Sequence, residues 1–139
     1  MTSRPSQRPP RAARPLFLSR VPAGFPSPAD DYVEGTLDLN EHLIAHREAT
    51  FFVRVKGHSM TGAGIRDGDL LVVDRALEAA SGDIVVAVVD GELTVQRLWR
   101  RAGRVRLIAE AAGFEPIEFK DGQELTVWGV VTSVIHRVR

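Results

Sequence analysis

The sequence contains no cysteine, and this absence excludes several kinds of chemistry. Without thiols the chain has no disulfide framework, no cysteine-ligated zinc and no thiol nucleophile. It also lacks any run of about 20 apolar residues, so we expect no membrane-spanning segment, and its N-terminus lacks the apolar stretch of a secretory signal. These absences predict a cytoplasmic protein whose 139 residues include one folded domain with a core of its own.

Acidic residues are also absent from residues 1–20, although the whole chain is neutral, with 18 basic and 18 acidic side chains. That segment holds five arginines and four prolines, and the rest of the chain holds 13 basic and 18 acidic residues. Because a Pro- and Arg-rich segment with few apolar residues cannot offset the entropy of ordering it, we predict a mobile basic arm. The acidic body is a poor partner for a phosphate backbone, so no sequence-specific DNA binding is expected.

Short apolar runs separated by Gly and Asp turns follow from Tyr32 onward and predict a mainly β domain. Asp90-Gly91 lies between two such runs and is typical of a β-hairpin, while Gly129 indicates a bulge in the last strand. The predicted strands are residues 51–56, 70–74, 83–89, 92–98, 105–109 and 125–135. A short helix is predicted over residues 40–46 with Asn40 as its N-cap.

Two sets of polar residues are interpreted as structural. His42 and His46 have the spacing of helical metal ligands, but no third ligand lies nearby in sequence, so we interpret them as a solvated helix face. Asp67 and Asp69 flank a glycine and are interpreted as turn formers rather than a catalytic pair. No metal and no cofactor is predicted.

The segment Gly57-His58-Ser59-Met60 is the strongest candidate for chemistry, because it follows a predicted strand directly. A sharp turn there would expose the Ser59 hydroxyl as a nucleophile and direct backbone N–H groups outward as an oxyanion hole. The alternative is a connection to a helix in which Ser59 is the N-cap. A serine nucleophile needs a base, and in serine–lysine dyads that base is a lysine kept neutral by burial.

Several segments together resemble the UmuD branch of the LexA-type self-cleaving serine peptidases, from about Pro15 to the C-terminus. They are residues 25–34, 38–40, 57–60, 67–74, 82–85 and 91–95. The resemblance implies a LexA/UmuD-like catalytic domain of twisted, partly barrel-like antiparallel sheets over residues 24–139, behind a flexible arm of residues 1–23. It also implies a homodimer, self-cleavage assisted by a RecA–single-stranded DNA filament in the SOS response, and association with a UmuC-type subunit of a translesion DNA polymerase.

The resemblance also assigns roles to individual positions. The cleaved bond falls on Ala23-Gly24 and the nucleophile on Ser59. The backbone N–H groups of His58 and Ser59 would form the oxyanion hole, a role that does not use the imidazole. Pro15-Leu16-Phe17 resembles the short stretch through which UmuD contacts the replication sliding clamp.

One position departs from the family pattern: Gln96 stands where the family has the lysine that acts as general base. A carboxamide can hydrogen-bond a serine hydroxyl but cannot accept its proton, and loss of a general base costs a factor of about 10² to 10⁴ in rate. Arg97 cannot replace the lysine, because strand alternation directs it to the other face and its guanidinium stays protonated. Neither Lys56 nor Lys120 occupies a suitable position, so we predict a chain with little or no self-cleavage, whether Gln96 is natural or introduced.

Two other classes of protein fit the sequence less well than a UmuD-like chain. A LexA-like or phage-type transcriptional repressor places a helix-turn-helix of several tens of residues before the catalytic domain, whereas only 23 Pro-rich residues precede Gly24. A signal peptidase of the serine–lysine type would need a membrane anchor and the lysine.

Overall fold

In residues 2–3, 13–17, 20–21, 23–24, 26, 33–119 and 125–139, which the computed structural model describes, the chain forms ten β-strands and one short α-helix. The strands are β1 Thr2–Ser3, β2 Ala13–Phe17, β3 Val33–Asp38, β4 Thr50–Arg54, β5 Leu70–Asp74, β6 Ile84–Val89, β7 Glu92–Arg101, β8 Arg104–Ile108, β9 Ile117–Phe119 and β10 Thr126–Ile135. The helix α1 spans Leu39–Leu43, and 3₁₀ turns occupy Arg47–Ala49 and Thr61–Ala63. No helix in this part of the chain is long and apolar enough to cross a membrane.

Antiparallel pairing joins eight strands in the order β1-β4-β5-β10-β6-β7-β8-β9, and a separate two-stranded sheet pairs β2 with β3. This mainly β, antiparallel architecture confirms the predicted fold class. All six predicted strands are present, with ends displaced by at most three residues.

The turn chemistry of two predicted features is also confirmed. Asp90 and Gly91 both have positive φ, 51° and 80°, as the tight turn between β6 and β7 requires. At Gly129 the register of β10 against β6 shifts, and a Cβ there would lie 2.6 Å from Cγ1 of Val73. The bulge therefore needs a residue without a side chain.

The helix prediction was wrong in its extent and its cap. The N-cap is Asp38, whose carboxylate accepts the N–H of Asn40 at 2.9 Å. The helix ends at Leu43 because Ile44 is extended and its N–H closes on the carbonyl of Asn40. His46 lies beyond the helix and bonds the buried Asp74 through Nδ1, at 2.6 Å from Oδ2.

Strands β1, β2, β3 and β9 were not predicted from the sequence. β1 and β2 lie in the segment predicted to be a mobile arm, and β2 pairs with β3 through five residues. The connection between β2 and β3 contains Ala23 and Gly24, both exposed.

The core consists of two apolar clusters on opposite faces of the central strands. The first contains Val53, Val55, Met60, Ile65, Leu71, Val73 and Val86, and the second contains Val85, Ala87, Leu98, Leu107 and Val130. Val85 and Val86 fall in different clusters because successive strand residues face opposite sides of a sheet. Met60 and Ile65 are supplied by the connection between β4 and β5, so the segment that carries Ser59 is packed into the core.

Candidate functional site

Ser59 lies in a turn after β4 that is held by hydrogen bonds on both sides. Gly57 has φ 97° and donates its N–H to Oδ1 of Asp67 at 2.7 Å. The carbonyl of Ser59 accepts the N–H of Glu110 at 2.8 Å. The next side chain, Met60, is only 2% exposed and anchors the turn in the first apolar cluster. The nucleophile candidate is therefore fixed at its backbone, while its side chain remains half-buried.

Glu110 also holds the residues that follow the turn. Its carbonyl accepts the N–H of Gly62 at 2.7 Å, and a Cβ on Gly62 would lie 2.5 Å from that oxygen. Its carboxylate binds Nε of Arg97 at 2.5 Å. Sequence reasoning missed Glu110, because its contact with Ser59 spans the sheet and leaves no local pattern.

The prediction that Asp67 and Asp69 bond the backbone of their own turn is confirmed for Asp69, whereas the carboxylate of Asp67 bonds the backbone of a distant residue. Asp67 accepts from Gly57, and Oδ2 of Asp69 accepts the N–H of Arg66 at 2.8 Å. The turn-forming role of Asp69 could be predicted from the sequence. The role of Asp67, which orients the turn before Ser59 by binding Gly57, ten residues earlier in the chain, could not.

Ser59 opens into a cleft of about 230 Å³. The cleft is lined by residues 53–57, by Ser59 and Met60, by Val86 and by residues 93–95 of β7. The 3₁₀ turn that follows begins after Met60 and has no side-chain cap, so the alternative in which Ser59 is an N-cap is wrong.

The backbone N–H groups of His58 and Ser59 donate no hydrogen bond within the described chain, and neither does the Ser59 hydroxyl. The imidazole of His58 makes no hydrogen bond within the described residues, since the bond from the Thr61 hydroxyl is accepted by the carbonyl of His58. Two free N–H groups beside a serine hydroxyl are the parts from which an oxyanion hole is built.

Gln96 follows the β7 residues that line the cleft and is half-buried opposite Val85. Its Nε2 lies 3.2 Å from Oγ1 of Thr94, so the two side chains share a face, as the predicted alternation requires. Thr94 lines the cleft, and Gln96 meets it as a hydrogen-bond donor. The carboxamide supplies no group that accepts a proton from serine.

The cations that line the cleft are Arg54, which donates to the carbonyl of Gly68, and Lys56, while Arg97 follows Gln96 on β7. Arg97 is held by the carboxylate of Glu110 and by the carbonyl of Gly82, and the described lining of the cleft does not include it. Lys56 lines the same cleft as Ser59, which the sequence analysis did not anticipate. Its side chain is exposed, whereas the lysine of a serine–lysine dyad is buried.

The remaining predicted positions lie elsewhere. Ala23 and Gly24 are exposed in the β2–β3 connection, and the described lining of the cleft includes neither. Pro15, Leu16 and Phe17 form the second half of β2, where Pro15 pairs with Thr36. Within the part of the chain that can be described, no three His, Asp or Glu side chains converge as metal ligands.

Comparison with known proteins agrees with this architecture. The family model for Peptidase S24-like proteins matches residues 15–132. Protein ImpA of Escherichia coli is 49% identical over 132 residues, covering 91% of this chain and 86% of ImpA. Protein SamA of Salmonella typhimurium is 47% identical over 135 residues, covering 97% and 94% of the two chains. LexA repressor 1 of Pseudomonas syringae pv. tomato is 42% identical over 132 residues, covering 94% of this chain and 64% of the repressor.

An antiparallel β domain with a serine turn beside a cleft defines a peptidase-type scaffold, and the chain belongs to the Peptidase S24-like family. Within it, the similarity to ImpA and SamA makes the chain a UmuD-like member of the LexA/UmuD group, with a UmuD-like role in SOS mutagenesis.

Proposed function

We propose that this chain is a cytoplasmic, homodimeric UmuD-like subunit of an error-prone translesion DNA polymerase, and that it persists uncleaved. The proposal that the chain persists uncleaved rests on one observation. Residues 93–95 of β7 line the cleft beside Ser59, and the residue that follows them is Gln96, whose side chain is hydrogen-bonded to Thr94. The chain keeps a nucleophile position and loses the proton acceptor.

Self-cleavage requires the Ser59 oxygen to bond the carbonyl carbon of Ala23 while its proton moves to a base. The N–H groups of His58 and Ser59 would stabilise the resulting oxyanion. The Ala23–Gly24 bond then breaks, and the base returns its proton to the Gly24 nitrogen. Water, deprotonated by the same base, attacks the Ser59–Ala23 ester, and the ester bond breaks to regenerate the hydroxyl and release residues 1–23 with a carboxylate. Gln96 can neither take nor return that proton, so both halves of the reaction lose their acid–base group.

The proposed partners are a second copy of the chain, a UmuC-type polymerase subunit and a RecA–single-stranded DNA filament. Pro15, Leu16 and Phe17 are the proposed contact with the sliding clamp. Exposed apolar side chains support association with other chains: Val134, Ile135 and Val138 near the C-terminus are 37%, 40% and 93% exposed.

The first experiment incubates the purified chain with RecA, single-stranded DNA and ATP, and weighs the products by mass spectrometry. We expect the intact mass only. Release of residues 1–23 would show that Gln96 does not silence the site. A Lys56→Gln variant then identifies the base: if it abolishes such cleavage, Lys56 takes the proton in place of residue 96.

The converse experiment uses Gln96→Lys under the same conditions. Restoring the base should raise cleavage at Ala23-Gly24 by about 10²-fold or more. Ser59→Ala in the Gln96→Lys background is the matched control and should return the chain to the intact mass. No cleavage by Gln96→Lys would mean that the site lacks more than its base.

A further inference from the structure

The hairpin β7–β8 and strand β9 have one apolar face and one basic face. Leu98, Leu107 and Ile117 face the second apolar cluster. Cross-strand pairing sets Trp99 opposite Arg106 and Arg101 opposite Arg104, with Glu118 opposite Arg106 on β9. Because alternate residues share a face, these five side chains lie together on the side of the sheet opposite the second apolar cluster.

This outer face carries more positive than negative charge. Glu118 lies 2.7 Å from Nη2 of Arg104 and 2.6 Å from Nε of Arg106, so one carboxylate serves two guanidinium groups. The guanidinium of Arg101 has no hydrogen bond or ion pair with the described residues. The face therefore has three cations and one anion, in a chain whose residues 21–139 are acidic as a whole.

An aromatic ring lies among these cations in a shallow depression of about 380 Å³. Its lining consists of Trp99, Arg101, Ala102, Arg104 and Arg106. The guanidinium of Arg106 lies over the Trp99 ring, 4.9 Å from the centroid. Aromatic rings and guanidinium planes are the surfaces on which unpaired bases stack, and neighbouring arginines bind the phosphates.

The combination favours one class of partner. An acidic peptide would bind the arginines but would not stack on the indole ring. The bases of a duplex are already stacked inside the helix, so they cannot stack on the indole either. A single strand offers both a charged backbone and exposed base faces. We infer that Trp99, Arg101, Arg104 and Arg106 form a binding surface for single-stranded nucleic acid without sequence preference.

The test measures binding of the full chain to fluorescein-labelled oligothymidine of about 16 nucleotides, by anisotropy across a series of salt concentrations. The affinity should fall with salt, and Arg101→Ala should reduce the slope of log K against log salt by about 0.7. Trp99→Ala should lower the affinity at least about fivefold, the smaller end of the cost of a lost base stack. In a Trp128→Phe chain, where Trp99 is the remaining tryptophan, the oligonucleotide should quench the fluorescence.

Arg100→Ala is the matched control, because Arg100 lies on the same strand with its guanidinium bonded to the carbonyl of Ala79 instead. It should leave the salt slope unchanged. An Arg4→Ala/Arg8→Ala chain tests the basic N-terminal segment in the same way, and circular dichroism confirms that each variant is folded.

Four results would overturn the inference. The first is no binding at low salt. The second is an equal effect of Arg100→Ala and Arg101→Ala. The third is a loss of binding confined to the Arg4→Ala/Arg8→Ala chain. The fourth is tighter binding of oligoglutamate than of oligothymidine with the same dependence on Arg101, which would assign the face to an acidic peptide.

Discussion

Asp69, directly before β5, is a carboxylate that is only 3% exposed. The backbone N–H of Arg66 and then the ring of His136, 2.6 Å away, hold its pKa below the ordinary value, against the opposing effect of burial. The carbonyl of Asp69 also accepts the N–H of Val55, so this residue joins the ends of β4, β5 and β10 near the serine turn.

The lowered pKa predicts a specific acid sensitivity. Since the carboxylate is favoured by folding, its stabilisation is complete above the unfolded pKa of about 3.9 and is lost as the pH falls through the folded pKa. Asp69→Asn should therefore lower the free energy of unfolding at neutral pH and make its decline below about pH 4 shallower. Urea unfolding at a series of pH values measures both effects.

Asp90→Asn, in the exposed β6–β7 turn, controls for the loss of one negative charge. If the free energies of unfolding of the native chain and of Asp69→Asn fell equally with pH below about pH 4, the ionised form of Asp69 would have no special role in the acid sensitivity.

At the scale of elements, the connection from β4 to β5 determines where Ser59 lies. Asp67 holds this connection at Gly57, and Glu110 holds it at Ser59 and Gly62. Met60 and Ile65 anchor it in the first apolar cluster. The backbone of this connection comes close to that of Glu110 at Gly62, because a Cβ on Gly62 would meet the backbone oxygen of Glu110.

Gly62→Ala is therefore expected to displace the connection from residues 110–111 and destabilise the fold by about 1–3 kcal/mol. In the Gln96→Lys background it should also slow cleavage, since the carbonyl of Ser59 depends on the same backbone. Denaturant unfolding and the cleavage rate report the two effects.

Gly35→Ala is the matched control, because a Cβ at Gly35 would meet nothing within 4 Å. Equal unfolding midpoints for the two alanine variants would contradict the proposed close contact.

At the scale of the whole molecule, the β2–β3 connection links a basic segment to an acidic body. After cleavage at Ala23-Gly24, the described contacts that would still hold residues 1–23 are strand pairing, β2 on β3 and the two residues of β1 on β4. Two-stranded sheets are marginally stable in water, so this pairing is weak once the covalent link is cut.

Cleaved Gln96→Lys should consequently separate into fragment and body during size-exclusion chromatography. The body should bind an anion exchanger more tightly than the intact chain, because all five arginines of residues 1–20 leave with the fragment. Gln96→Lys/Ser59→Ala, which stays intact, is the control. Co-elution of residues 1–23 with the body would show that the strand pairing persists after cleavage.

Local rules predicted much of the fold. The Asp90-Gly91 turn and the apolar runs of β5 and β6 depend on nearest neighbours, and the structure agrees with them. The short helix was misplaced by a local competition: Asp38 and Asn40 are both good caps, and the carboxylate of Asp38 reaches the N–H of Asn40. Strand β2 has a proline and an arginine, and its strand conformation comes from pairing with β3.

The sequence by itself determined the mainly β class and offered Ser59 as a candidate nucleophile, because apolar runs and turn residues are local properties. That Gln96 stands in the place of a proton acceptor is what the resemblance to a known family implies. Only the tertiary structure decided that Glu110 and Asp67 hold the serine turn, that Lys56 shares its cleft, and that Trp99 lies among three arginines. Each of these depends on which strands pair and in which register, and hydrogen bonds between distant segments fix that register.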